Sequence, residues 1–233
     1  MLQAHKDSGA DCTIACMEVP MKEASRFGIL NTNPDGSIYE FEEKPAKPKS
    51  NLASMGIYIF SADKLYKYLE LDEEDPKSEK DFGKNILPAM LNAGEKMMSY
   101  RFSGYWKDVG TISSLLEANM DLLGVAPKFD LDDQDHVIHS RSPLSPPAYV
   151  EGEVINSLVA NGSEIEGKIV NSVIGTNCIV EEGATVCDSV LMGNITVKKG
   201  ATINYSIIDE EVTIGENAAI GAAKEEACKV EGK

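Results

Sequence analysis

The chain has 233 residues, of which 42% are hydrophobic and 26% are charged, and it is therefore long enough to bury a sizeable core. Its formal net charge of −16 disfavours partners with dense negative charge, so we expect no nucleic-acid partner and no membrane partner. No apolar run reaches the roughly 18 residues of a membrane-spanning helix, and the first residues lack the apolar core of a signal peptide, which predicts a cytoplasmic protein. Five cysteines without C-x-x-C spacing indicate buried free thiols.

The first half of the chain opens with a segment typical of the end of a helix, residues 1–8, and then carries four predicted strands. The Asn-Pro-Asp-Gly sequence at 33–36 predicts a turn between the second and third strands, because proline presets φ and glycine accepts a positive φ. These two strands are therefore expected to form a hairpin. The predicted strands are rich in β-branched and aromatic side chains and span residues 11–19, 26–31, 37–43 and 52–60.

Helix signals follow the fourth strand. Ser61 is expected to cap a helix over residues 62–69, and Asp81 is expected to start a short helix that Pro88 ends or kinks. Thr111 is expected to cap a further helix that reaches Leu123. Because strands and helices alternate, the first half is predicted to be an α/β domain.

The composition changes after Pro147, since no proline follows it and Tyr205 is the only aromatic residue between positions 151 and 221. Residues 125–148, rich in proline and serine, are predicted to be a linker. Beyond them apolar residues recur every five or six positions, with an overall period of 17. The repeating positions are Ile174, Val180, Val186, Leu191, Val197, Ile203, Ile208, Ile214 and Ile220.

A helix with 3.6 residues per turn cannot keep positions six apart on one face, whereas a short strand followed by a turn can. Three such units in each coil predict a triangular parallel β-helix with these apolar residues stacked inside it. The segment resembles the left-handed β-helices built from hexapeptide repeats.

Three short clusters in the first half could carry chemistry. The sequence Glu-Lys-Pro at 43–45 pairs an acid with an amine at a strand end, which suits sugar hydroxyls and a phosphate but is by itself more typical of a solvated surface pair. The sequence Ala-Ser-Met-Gly at 53–56 opens a strand and is also typical of tight packing. Asp108 follows the single tryptophan and precedes a helix, where it could bind magnesium or serve as a turn residue.

Taken in order, these strings resemble the sugar-phosphate nucleotidyltransferases. The matching sequences are FGILNTNPDGSIYEFEEKPAKPKSNLASMGIYIF, DFGKNILPAML and GYWKDVGTISSLLEANMDLL, followed by the β-helix. The resemblance implies transfer of an adenylyl group from ATP to glucose 1-phosphate, which gives ADP-glucose and pyrophosphate for glycogen synthesis. The fold class implied is α/β, with a partial nucleotidyltransferase (Rossmann-like) domain followed by a left-handed parallel β-helix.

Carried over residue by residue, the resemblance implies that Gly28, Glu43, Lys44 and Ser54 line the glucose 1-phosphate pocket. Lys44 would bind the phosphate and Glu43 the sugar hydroxyls. Lys44 and Asp108 would be the catalytic residues, and Asp108 would be one ligand of a Mg²⁺ cofactor. The second metal aspartate of the family has no counterpart in the sequence.

The resemblance also implies a division into residues 1–124 of a nucleotidyltransferase domain, the linker 125–148, a β-helix over 149–221 and a tail over 222–233. The sequence contains neither G-x-G-x-x-G nor G-x-x-x-x-G-K-[ST], so we expect a fragment that is inactive alone. The resemblance also implies assembly into homo-oligomers or into hetero-oligomers with a paralogous subunit.

Two alternatives remain open at this point. The first is a non-catalytic regulatory paralogue of the same enzyme. The second is a hexapeptide-repeat acyltransferase, which would need a histidine base near the coils. The histidines of this chain are His5, His136 and His139, all outside the repeats.

Overall fold

The computed structural model describes residues 1–135, 137–139 and 144–227. The predicted linker 125–148 and tail 222–233 extend outside these residues, and His136 and Cys228 lie outside them. The chain divides into two compact units, Met1–Gly104 and Tyr105–Lys233, which have separate hydrophobic cores. Among the described helices, none is long and apolar enough to cross a membrane.

The first unit is built around one mixed sheet of five strands in the order β3-β2-β4-β1-β5. Strands β1 and β5 are parallel, and all other neighbours are antiparallel. The four predicted strands are confirmed. The elements of this unit are α1 (Leu2–Ser8), β1 (Cys12–Glu18), α2 (Met21–Ala24), β2 (Gly28–Thr32), β3 (Ile38–Glu43), β4 (Leu52–Phe60), α3 (Ala62–Glu74), a π-helix (Phe82–Ile86), α4 (Leu87–Asn92) and β5 (Met97–Arg101).

The predicted turn joins β2 and β3. The amide of Gly36 donates to the carbonyl oxygen of Asn33 at 3.0 Å, and Gly36 has a φ of 85°, which glycine adopts without strain. The turn therefore fixes the register of the hairpin, in which Gly28 lies opposite Glu43.

The core of the first unit lies between the sheet and the helices α3 and α4. Strand β1 is central and contributes Cys12, Ile14 and Cys16, all fully buried. Burial raises the pKa of the Cys12 thiol to about 12 and that of Cys16 to about 11. The prediction of buried free thiols is confirmed for both, since neither forms a disulfide.

Both ends of α3 differ from prediction. Ser61 precedes α3, but its hydroxyl donates to the carbonyl oxygen of Ala10 at 3.2 Å instead of capping the helix, and α3 continues to Glu74. The sequence predicts that Pro88 ends or kinks the helix that follows Asp81, and the π-helix does end at Ile86, where α4 continues with Pro88 in its first turn.

The second unit begins with α5 and continues into three parallel sheets, which form the three faces of a β-helix. Successive coils pair in register 17 residues apart, as with Val186 and Ile203, while the first coil is two residues shorter. The parallel β-helix is confirmed. Its elements are α5 (Ile112–Met120), β6 (Tyr149–Val150), β7 (Glu153–Ile155), β8 (Leu158–Val159), β9 (Glu164–Ile165), β10 (Lys168–Val170), β11 (Val173–Thr176), β12 (Ile179–Val180), β13 (Thr185–Cys187), β14 (Val190–Gly193), β15 (Thr196–Val197), β16 (Thr202–Asn204), β17 (Ile207–Ile208), β18 (Thr213–Ile214), β19 (Ala219–Gly221) and α6 (Lys224–Ala227).

The interior of the β-helix contains the predicted apolar residues. Eight of the nine are buried, and Ile220, in the last coil, is partly buried and packs against the same cluster. A second inward row was not predicted and consists of Cys178, Ala184, Ile195 and Ala201, all at most 1% exposed.

Substitution of Ile203 by aspartate tests this interior. Ile203 is fully buried, so the variant Ile203→Asp places an unpaired carboxylate among aliphatic side chains and should lower the free energy of unfolding by more than about 4 kcal/mol. The neighbouring Asn204→Asp is the control, because its side chain alternates to the outer face and should leave stability within about 1 kcal/mol. Thermal denaturation followed by circular dichroism measures both. Equal melting temperatures for the two variants would contradict the assignment of faces.

Candidate functional site

Strand β3 ends at Glu43, and the next residue is Lys44. Lys44 takes a left-handed φ of 48° and Pro45 has no N–H to donate to a ladder, so the strand stops at Glu43. The amide of Lys44 still donates to the carbonyl oxygen of Phe27 at 3.1 Å. The conformation turns the chain away from the sheet directly after the two predicted site residues.

Glu43 and Lys44 form a loose ion pair, with 3.6 Å between Glu43 Oε1 and Lys44 Nζ. The Lys44 side chain is 67% exposed, whereas that of Glu43 is only 24% exposed. An ion pair this exposed contributes little to stability. The ammonium is therefore available to an anion from solvent, while the carboxylate is held against the protein.

Gly28 lies beside this carboxylate. A Cβ at Gly28 would lie 2.5 Å from Phe41 Cζ, closer than such atoms approach one another, and 3.0 Å from Glu43 Oε2, which is a tight contact. The missing side chain thus makes space for the Phe41 ring and for the Glu43 carboxylate.

Strand β4 carries Ser54 and bulges next to it. Ile14 pairs with Tyr58 and Cys16 with Ser54, so a step of two residues along β1 lies opposite a step of four residues along β4. Gly56, at φ 69°, lies in the bulge, and its amide donates to the buried hydroxyl of Ser54 at 3.2 Å. The bulge brings Ser54 and Tyr58 together.

Tyr58 links Ser54 to Glu43. Burial raises the pKa of the Tyr58 phenol, a hydrogen bond with Ser54 opposes that rise, and the negative charge of Glu43 adds to it. Four of the predicted site residues, Gly28, Glu43, Lys44 and Ser54, therefore lie around one end of the β3-β2-β4 sheet.

The π-helix closes this end of the sheet. Asp81 caps it by accepting from the amide of Lys84 at 2.9 Å, and the ring of Phe82 stacks on that of Tyr58 with 5.8 Å between centroids. Gly83 lies against Glu43. Sequence reasoning assigned Asp81 only to a helix start and missed Tyr58, Phe82 and Gly83. The exposed aromatic after a cap, within the matched string DFGKNILPAML, is the signal that could have found them.

Asp108 belongs to the second unit. Its segment is held by a Lys107–Glu117 ion pair of 2.5 Å and by the capping box in which Thr111 and Ser114 bond each other at the start of α5. Asp108 itself is exposed, and a Cβ on Gly110 would approach its Oδ2 to 3.3 Å. A capped helix start thus follows an aspartate whose carboxylate is exposed to solvent.

The donor set at Asp108 limits what metal it can hold. Within the described residues no group of three or more His, Cys, Asp or Glu side chains is arranged to hold a metal ion. Magnesium is commonly held by one or two carboxylates together with substrate phosphates and water. Asp108 therefore suits a magnesium site to which the protein supplies a single carboxylate ligand.

The chain belongs to the nucleotidyl transferase family, which matches residues 1–124. Residues 146–230 match the family described as GlmU-like, C-terminal hexapeptide. An α/β unit followed by a hexapeptide β-helix is thus confirmed by both the fold and the comparisons.

Several relatives that are about 50% identical to this chain share one name. The chain is 53% identical over 190 residues to a glucose-1-phosphate adenylyltransferase from Clostridium botulinum, an alignment that covers 78% of this chain and 49% of that relative. It is 51% identical over 188 residues to the enzyme of that name from Desulforamulus reducens, covering 80% and 47% respectively. The Bacillus thuringiensis relative is 50% identical over 190 residues, covering 81% and 50%. The chain spans about half the length of these curated relatives.

The proximity of Glu43 and Tyr58 can be tested without any ligand. Because the Glu43 charge disfavours the tyrosinate, Glu43→Gln should lower the pKa of Tyr58. The control is Glu40→Gln, since the Glu40 carboxylate is bound by Lys49 and Asn31. A titration of ¹³Cζ-labelled tyrosines by NMR measures both. An unchanged Tyr58 pKa in Glu43→Gln would place the carboxylate elsewhere.

Proposed function

We propose that this chain carries the glucose 1-phosphate site of an enzyme that transfers an adenylyl group from ATP to glucose 1-phosphate. The products would be ADP-glucose and pyrophosphate, for glycogen synthesis. The names of the relatives support this reaction. The observation that carries the site is the exposed Lys44 ammonium beside the shielded Glu43 carboxylate.

The two charges suit the two ends of a sugar phosphate. Lys44 donates to the phosphate oxygens as a point charge and holds the phosphate as the attacking group. Glu43 is an acceptor, so it orients the sugar by accepting from its hydroxyls. Gly28 leaves room for this carboxylate, and the buried Ser54 hydroxyl fixes the bulge of β4 beside it.

Asp108 is proposed as a ligand of Mg²⁺, with nucleotide phosphates and water completing the coordination. When bound, the ion neutralises phosphate charge during phosphoryl chemistry. Lys44 and Asp108 are thus the proposed catalytic residues. We further propose a cytoplasmic location and assembly into homo-oligomers or hetero-oligomers with a paralogous subunit, both on the resemblance to bacterial metabolic enzymes.

The phosphate contact is tested by Lys44→Ala. Loss of a charge-assisted contact should raise the dissociation constant for glucose 1-phosphate about tenfold to a hundredfold. The matched control is Lys49→Ala, because the Lys49 ammonium is bound by Glu40 at 2.7 and 2.9 Å and should not serve a ligand. Isothermal titration calorimetry on the 233-residue chain measures both. Equal affinities of Lys44→Ala and the unmodified chain would refute the pocket assignment.

The isolated chain is expected to be inactive. Adenylyl transfer depends on positioning both reactants, and the 233-residue sequence contains no glycine-rich phosphate-binding motif. A pyrophosphate-release assay with ATP, glucose 1-phosphate and magnesium should therefore give no turnover, while the Clostridium botulinum relative serves as the positive control. Turnover at the rate of that relative would contradict this expectation.

A non-catalytic regulatory paralogue and a hexapeptide-repeat acyltransferase are the alternative functions. Absence of glucose 1-phosphate binding by the chain would favour the paralogue. The acyltransferase would need a base within reach of the coils, and in the described part of the repeats there is no histidine.

A further inference from the structure

Gly83 is a glycine whose backbone does not require one. It lies inside the π-helix, it is buried, and its φ is not positive. Glycine in a helical backbone is less favourable than alanine, because it loses more conformational freedom on folding. Some contact other than backbone geometry must therefore oppose a side chain at this position.

The opposing contact is the carboxylate of Glu43. A Cβ built on Gly83 would lie 2.6 Å from Glu43 Oε2 and 3.2 Å from Glu43 Cδ, while the next atom, Asp81 Oδ1, would be 3.4 Å away. Only the distances to Glu43 are shorter than ordinary contact. The atom in conflict is the end of a flexible side chain, so an added methyl group would move Glu43 rather than the helix.

The same carboxylate also lies close to a second glycine. A Cβ at Gly28 on β2 would lie 3.0 Å from the same Oε2 atom. We use the term carboxylate slot for the space beside Gly28 and Gly83 that this group occupies. The two glycines are 55 positions apart in the sequence, and the fold brings both to one oxygen atom.

We propose that Gly83 is a positioning residue that acts through Glu43. Its missing side chain lets the Glu43 carboxylate lie in the carboxylate slot, oriented towards the hydroxyls of a bound sugar phosphate. The inference rests on the proposed function, because it assigns the orientation of the group that would bind the sugar. Gly83 itself touches no substrate in this arrangement.

The test begins with Gly83→Ala and a matched control, Gly215→Ala. Gly215 has no positive φ, and a Cβ added to it would have no neighbouring atom within 4 Å, so its variant should behave as the unmodified chain. Gly83→Ala should keep or raise the melting temperature and should raise the dissociation constant for glucose 1-phosphate about tenfold. A glycine needed only for structure would instead lower the melting temperature.

A second substitution makes the effect specific to Glu43. Glu43→Asp shortens the side chain by one methylene and withdraws the carboxylate from the slot, so adding Gly83→Ala to it should cost little further affinity. An equal cost of Gly83→Ala in both backgrounds would overturn the proposal. Unchanged affinity in Gly83→Ala would overturn it as well.

A crystal structure of the Gly83→Ala variant separates this proposal from the proposed function. A displaced Glu43 carboxylate with an unmoved π-helix supports the positioning role, even if the chain binds no sugar phosphate. A Glu43 that stays in place while the helix shifts overturns it. By contrast, a displaced carboxylate in that crystal structure together with a sugar-phosphate affinity that is unaffected by Glu43→Gln would contradict the proposed function. The contact of Gly83 with Glu43 would then be real, and the binding role of Glu43 would not.

Discussion

The Glu43 carboxylate depends on contacts that separate parts of the chain provide. Strand pairing sets Glu43 opposite Gly28, the π-helix sets Gly83 against its carboxylate, and the next residue along the chain supplies the nearby Lys44 ammonium. An ionised carboxylate prefers water, so its partial burial needs nearby polar groups or a bound ligand. The shielded acid next to an exposed ammonium is therefore a feature of the first unit that calls for a functional explanation.

The β-helix depends on a different constraint, which is the fixed length of its coil. Serine hydroxyls make the same hydrogen bond between successive coils. Ser172 Oγ accepts from the amide of Ser189 at 3.1 Å, and Ser189 Oγ accepts from the amide of Ser206 at 3.1 Å. The corners need left-handed backbone, which Asn, Asp and Gly tolerate best. Residues with positive φ accordingly recur every 17 positions, as in the rows Asn171, Asp188 and Tyr205, then Asn177, Asn194 and Glu211, then Gly183, Gly200 and Asn217.

The sequence predicted the β-helix better than it predicted the site. Stacked aliphatic positions such as Val186 and Ile203 form a periodic pattern, and a period is visible without a structure. The second inward row was missed because Ala184 and Ala201 are small and do not stand out. In the first unit, the sequence around Glu43 identified a candidate binding site. The contact between Glu43 and Gly83 could not be predicted, because it joins residues 40 positions apart. It depends on strand register and on a π-helix, and no simple sequence pattern predicts a π-helix.

Binding of glucose 1-phosphate at the sheet end around Glu43 and Lys44 is the claim on which the proposed function depends. The most direct measurement is a crystal structure of the 233-residue chain with glucose 1-phosphate. We predict phosphate oxygens within hydrogen-bond distance of Lys44 Nζ and a sugar hydroxyl donating to the Glu43 carboxylate. Sugar phosphate bound on another surface, with both side chains in contact with solvent alone, would contradict the claim.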